Sequence, residues 1–253
     1  MRRNLFWLSD KQWAKIEPLL PTDVRGKARV DDRKVLSGIL HVLKSGCRWC
    51  DCPPDYGPPT TIYNRFVRWA ERGVWERLFQ NLAKRGRSTG TQMIDSTHIK
   101  AHRSASGGKG GSKKQAIGRS RGGRNTKIHA IADAKGRLLS LTLTGGEAHD
   151  CPVSEPLIDT TKAPKKFLAD KAYDSAELRK ALKKRGTKPV IPNKFNRKKP
   201  FSFSKKAYKE RHLIENAFCR LEDFRRIATR YDRLARNFAA SIYLVAAVVW
   251  WIL

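Results

Sequence analysis

Apolar residues recur at helical spacing through the first ninety positions and at alternating positions after them, so the chain changes character near residue 90. In LSDKQW, Ser9 with Gln12 three residues on predicts a capping box, and Leu8 and Trp13 stand where a hydrophobic staple closes over a helix start. Pro18 and Pro21 end that helix. A second is expected from Asp32, carrying Val35, Leu36, Ile39, Leu40 and Leu43 on one face until Gly46 stops it. After the turn-rich DCPPDYGPP, Thr60 or Thr61 is expected to cap TIYNRFVRWAER, with Ile62, Phe66 and Trp69 inward and Arg65, Arg68 and Arg72 along another face. Gly73 separates it from VWERLFQNLAKR. Two short helices with an arginine row and a turn between them have the form of a helix-turn-helix DNA reader, although a basic face is also the ordinary face of a solvated helix.

Beyond residue 90, TQMIDSTHIKA reads as a strand, and KIHAIAD with GRLLSLTLT as a hairpin around Ala134, Lys135 and Gly136. The intervening basic loop, 103–124, holds too few apolar residues to pack alone; it is either a linker or a segment that orders on nucleic acid. Residues 152–160 predict a short helix, and PKKFLADKAYD a strand running into Asp170. Asp174 with Glu177 at N3 is the expected start of the next helix. TKPVIP is a fifth strand, and a long helix is expected from Tyr208 to Arg226. This order implies a mixed sheet with helices on its faces, an α/β fold behind an all-helical region. The expected divisions are 1–88 (helical, DNA-binding), 89–230 (catalytic) and 231–253. In the last, FAASIYLVAAVVWWIL is apolar for sixteen residues, short of the roughly 18–20 that span a bilayer. It is expected to be a buried helix, packed on its own chain or on a second copy, and not a membrane anchor.

Charge narrows the partner. Against 23 acidic residues stand 53 Lys and Arg, a formal net charge of +30. Such a surface repels itself unless a polyanion neutralises it, and nucleic acid is the most economical partner because its condensed counterions are released. A membrane surface is the rival. The start of the chain turns amphipathic at once, unlike a secretory leader, and a cytoplasmic location is expected. Five cysteines argue against a disulfide framework. Cys47, Cys50 and Cys52 offer three thiolates but no fourth ligand at zinc spacing, and read as reduced cysteines in a turn. His102, His129 and His149 compel no metal site, and no GxSxG or Cys/His signature supports a covalent nucleophile.

The candidate chemistry lies in carboxylates. Asp95 interrupts a core strand and Asp170 follows another, while Glu215 lies at the margin of the apolar stripe Ile214, Phe218, Leu221 and Phe224. Three acids at close quarters raise one another's pKa unless cations neutralise them. All-oxygen ligands suit Mg²⁺ or Mn²⁺, and two such ions assist in-line phosphoryl displacement.

MIDST, LADKAYD and Y-x-x-R-x-x-x-E, here Tyr208, Arg211 and Glu215, resemble the three signature blocks of the DDE transposases of bacterial insertion sequences. The likeness is to insertion-sequence family five, whose members share the tail FRRIATRYDRLARNFAASIYL and the opening WLSDKQWAKIEPLLP. The resemblance covers nearly the whole chain. It implies an RNase H-like core in which Asp95, Asp170 and Glu215 are catalytic metal ligands, with DNA cleaved at the element's ends and joined to a target. It further implies that Arg211 holds a DNA phosphate beside Tyr208. Lys171 and Lys100 follow the two aspartates as further DNA contacts, and two ends held together imply a homo-oligomer on DNA. One position departs from the pattern: Glu222 stands where the family signature places a lysine. Arg226, expected on the same helical face, is the candidate to compensate. The alternative reading is therefore a catalytically inactive or domesticated DNA-binding protein, and a third is a nuclease that never joins its products.

Overall fold

The computed structural model describes residues 5–22, 30–85 and 90–252. Helix α1 (Asp10–Ile16) begins with the expected capping box: the Ser9 hydroxyl accepts from the Gln12 amide, and the Gln12 side chain accepts from the Ser9 amide. α2 (Asp32–Ser45) is capped by Asp31, whose carboxylate accepts from the amides of Arg33 and Lys34. It ends at Gly46, where φ is +78° and a side chain would be strained. α3 (Pro59–Glu71) starts differently from expectation: no threonine caps it, because Pro59 at the first helical position already has the φ a first turn needs. α4 (Val74–Arg85) follows across Gly73.

The strands are β1 (Thr91–Ala101), β2 (Gly118–Ser120), β3 (Gly123–Asp133), β4 (Leu138–Gly145), β5 (Lys166–Leu168), β6 (Lys188–Val190) and β7 (Thr229–Arg230). β3 lies antiparallel between β1 and β4, β5 joins the other edge of β1 in parallel, and β6 extends the sheet parallel to β5. β2 pairs with the start of β3, and β7 with the end of β1. The sheet is mixed, as the element order requires. The loop 103–124 is not a loose linker. It forms α5 (Gly111–Lys114) and β2, buries Ala105, Ala116 and Ile117, and is held when the Ala116 carbonyl accepts from Arg230 and Thr126.

Side chains alternate across the sheet and sort into two cores. On one face Ile94, Ile131 and Phe167 meet α6 (Cys151–Asp159) and α7 (Ala176–Lys184) through Leu157, Leu178 and Leu182. On the other, Met93, Ile99 and Ile128 share a core with the N-terminal helices and with Ile214, Phe218 and Leu221.

Two further expectations are corrected here, and the choice left open for the C-terminal stretch is decided. The helix from Tyr208 to Arg226 is broken: α8 (Lys205–Tyr208), a 3₁₀ turn and α9 (His212–Glu222) run in succession, and α10 (Arg225–Ala228) is separate. Phe224 takes an extended backbone between them and puts its ring in the core, which turns the chain. The cap of α7 is Ser175, not Asp174; the latter is buried in an ion pair with Arg179 and Arg197. Finally, α11 (Ala235–Ala247) and the π turn after it pack inside their own chain, chiefly on α4. The stretch Ala235–Ile252 is long and apolar enough to cross a membrane, yet 67% of it is buried in this fold.

Candidate active site

The parallel pairing of β1 with β5 sets Met93 opposite Leu168. Asp95 and Asp170 each lie two residues beyond that last pair, and the Asp170 charge acts on the Asp95 carboxyl. Asp170 closes the turn that leaves β5, its carboxylate accepting from the Ala172 amide at 2.8 Å. Asp95 shares its face of β1 with Met93 and so looks toward α9 rather than α6. From that side Arg211 donates one guanidinium nitrogen to Asp95 at 2.5 Å and another to Glu215, one turn further along the helix.

The electrostatics follow from burial. Burial pushes the Asp95 carboxyl up, Arg211 and the Ser96 amide oppose it, and the Asp170 charge adds to the rise. Arg211 is the cation that partly offsets the burial of Asp95. Among the described residues no three His, Cys, Asp or Glu side chains stand close enough to enclose a metal ion, since Arg211 lies between Asp95 and Glu215. The donor set itself, two half-buried aspartates and an exposed glutamate, is all oxygen and suits a hard divalent ion.

Beside Asp170 opens a cleft of about 660 Å³, lined by Lys171, Lys205, Tyr208, Lys209 and Arg211. The Arg211 guanidinium lies 5.9 Å from the Tyr208 ring. Lys205 and Lys209 escaped the reading of the sequence; their i, i+4 spacing around Tyr208 was the available signal. On the opposite face of β1, Ser96 donates to Asp150 at 2.9 Å, and Lys127 does so at 3.1 Å. His129 stands 3.6 Å from the same carboxylate, but burial outweighs that attraction and holds its pKa at about 4.

The remaining candidates are scattered. Lys100, Lys171, Arg68 and Arg72 are exposed. Arg65 is not in the outward row: it pairs with Asp32 at the start of α2 and lies over the Trp69 ring, 5.0 Å from its centroid. Arg226 does not compensate for Glu222 either. The break at Phe224 carries it into the interior, where it donates to the Cys47 carbonyl at 3.2 Å between the rings of Trp49 and Tyr231. Glu222 accepts from the Thr97 hydroxyl at 3.3 Å, which places it over β1 two residues beyond Asp95. Cys47, Cys50 and Cys52 are free thiols.

Comparison with known proteins agrees with this arrangement. Residues 87–250 match the family "Transposase DDE domain", and residues 8–79 match "Putative transposase of IS4/5 family". The "Putative transposase for insertion sequence element IS6501" of Brucella ovis is 35% identical over 127 residues, which cover 49% of this chain and 97% of that protein. Its counterpart for IS402 in Burkholderia cepacia is 31% identical over 137 residues, covering 50% of this chain and 63% of the relative. Among solved structures, the piggyBac transposase in a synaptic complex with hairpin DNA superposes with a TM-score of 0.52 at 10% identity, over 94% of this chain and 69% of that one. At that identity the likeness speaks for the fold, which is RNase H-like. The matched domain spans well over half of the residues, and the chain accordingly belongs to the DDE transposases of the IS4/5 insertion sequences, enzymes that act on DNA.

Proposed function

We propose that Asp95, Asp170 and Glu215 are the catalytic carboxylates, that they hold one or two Mg²⁺ or Mn²⁺ ions, and that the protein cuts DNA at its element's ends and joins them to a target. The observation that carries this reading is the β1–β5 register, which brings two aspartates close enough for one charge to act on the other, under an arginine that also reaches Glu215. Divalent ions bound there would polarise the scissile phosphate and make water a nucleophile at neutral pH. The chain's own part is to keep the acids ionised and the DNA in place. The Ser96 amide and Arg211 offset the cost of burying the Asp95 charge. With a divalent ion bound beside Asp95, Arg211 would be free to pair with a DNA phosphate, for which its forked donors are well shaped. Lys171, Lys205 and Lys209 line the path toward Asp170, and Lys100, Arg68 and Arg72 extend the basic surface. Two element ends must be held together, so the working form is a homo-oligomer on DNA. α11 serves as a core helix of a protein that works in the cytoplasm, where the DNA is.

The test is incubation of purified protein with labelled duplex carrying the element's ends and a supercoiled target, in Mg²⁺, Mn²⁺ or EDTA. Metal-dependent joining is expected, and it should vanish in Asp95→Ala, Asp170→Ala and Glu215→Ala while DNA binding persists. Cleavage retained in any one of these variants overturns the assignment of that residue. Salt-sensitive binding with neither cleavage nor joining would favour an inactive DNA-binding protein, the reading that Glu222 at its position over β1 supports.

A further inference from the structure

Asp95 sits on a stretch of β1 that, among the described residues, has a strand neighbour on one side only. β3 runs beside β1 from Gln92 to Lys100, but β5 pairs with it no further than Met93 and β7 begins at Lys100. The sheet therefore leaves one edge of residues 94–99 open, just where a carboxylate has to be held still. Two donors hold it: the Ser96 amide donates to Asp95 Oδ1 at 2.9 Å, and Arg211 donates to Oδ2 from the α9 side. With a divalent ion beside Asp95 the arginine contact is the one given up, so the Ser96 amide is left to orient the carboxylate.

What fixes Ser96 lies on the opposite face of the sheet. Its hydroxyl donates to Asp150 Oδ1 at 2.9 Å. The buried Lys127 donates to the same oxygen at 3.1 Å and to the Ala148 carbonyl at 2.7 Å. Asp150 stands at the N-cap of α6, where a carboxylate ordinarily accepts from the second or third helical amide. Here the second helical residue is Pro152, which has no N–H, and the Val153 amide donates to the Asp150 carbonyl at 3.3 Å. The side chain caps nothing and is free to turn to the strand. Lys127 neutralises it, which makes Asp150 a fixed acceptor for Ser96 and not a competitor for the cation that Asp95 binds.

We propose that Asp150 is a positioning residue for Asp95. Acting through Ser96, it pins β1 at the residue whose amide orients the carboxylate, with Lys127 as its counter-ion. The inference rests on Asp95 holding a divalent ion, as proposed above. Hydrogen bonds one step out from a metal ligand are typically worth about 10–100-fold in metal affinity.

Mn²⁺ binding to the full chain without DNA, followed by calorimetry beside denaturant unfolding in EDTA, tests it. Asp95→Ala is the control and should weaken binding most. Ser96→Ala leaves the Asp150–Lys127 pair whole; it is expected to unfold at the same denaturant midpoint, yet to bind Mn²⁺ about tenfold more weakly. Asp150→Ala should weaken binding to the same extent and add nothing in the Ser96→Ala background, because both act along one path. Asp150→Asn keeps an acceptor oxygen for Ser96 without the charge, and should retain most of the affinity. Unchanged affinity in Ser96→Ala, losses from Ser96→Ala and Asp150→Ala that simply multiply, or an Asp150→Asn loss equal to that of Asp150→Ala each overturn the positioning role, while weakened binding in Asp95→Ala leaves the carboxylate assignment standing. Unchanged Mn²⁺ affinity in Asp95→Ala would instead defeat that assignment, and the inference with it.

Discussion

Arg211 joins two acids that sequence distance keeps apart, Asp95 on a strand and Glu215 on a helix 120 residues later. Its removal leaves a largely buried carboxylate beside Asp170 with no compensating cation. Arg211→Gln should therefore unfold about 1–3 kcal/mol more easily in EDTA, and saturating Mg²⁺ should recover most of that loss by binding only the folded state. Denaturant titrations with and without Mg²⁺ decide it; equal stability in both variants would show that Arg211 compensates nothing. Glu222 offers a second test at this scale. Glu222→Lys places a cation over β1, and the salt dependence of DNA binding should steepen by about one unit of slope, the value for one more neutralised phosphate. The carboxylates were legible as residue types in a pattern. That Arg211 would turn inward to them, and Arg65 to Asp32, was not, because a side chain's partner is set by what the folded chain brings near it.

Among the elements, the buried Asp174 shows why local signals mislead. DSAE reads as a cap at Asp174 with Glu177 at N3, a pattern that satisfies helix-start chemistry. Tertiary contacts decide in favour of Ser175, because Asp174 accepts from Arg179 and Arg197 and from the Lys194 amide. Those hydrogen bonds outweigh burial and hold its pKa below the usual carboxylate value. Asp174→Asn should cost about 3–5 kcal/mol, since two arginines lose the charge that justified their burial; equilibrium denaturation measures it. The β3–β4 turn presses on α9 in the same indirect way. Gly136 has φ +71°, and a Cβ there would come 2.8 Å from the Leu213 carbonyl, just before Glu215. Gly136→Ala should destabilise by about 1–3 kcal/mol and shift α9 enough to lower strand joining, which the same purified variant would show.

For the molecule as a whole, acid sensitivity has a defined window. His129 is neutral and buried in the fold at a pKa of about 4, against about 6.5 when unfolded. A depressed pKa of this kind leaves its stability contribution complete above about pH 6.5 and removes it as pH falls toward 4, by about 3 kcal/mol. Unfolding free energies measured from pH 7 to 4.5 should show that slope, and His129→Gln should flatten it. Asp174 titrates below this window because its pKa lies under the ordinary carboxylate value. Packing predicts a further outcome. The N-terminal helices and α11 share one core with a face of the sheet, so deleting residues 235–252 should abolish the cooperative unfolding transition seen by circular dichroism, instead of merely loosening an oligomer.

Periodicity, caps and glycines were enough by themselves to locate most helices and the long strands, since those signals act within a few residues. Charge was enough to name a polyanion as partner, and the signature blocks to name the family. Tertiary structure alone decided what depends on contacts between distant segments. The β1–β5 register brought Asp95 within reach of the Asp170 charge, and the burial of Phe224 ended α9 and carried Arg226 from the site's face into the interior. It also decided that the basic loop would fold against Arg230 and that the apolar C-terminal stretch would fill its own core. A residue's local preference amounts to about one kcal/mol or less, while burying a ring or pairing a buried charge is worth several, so wherever the two compete the long-range contact prevails.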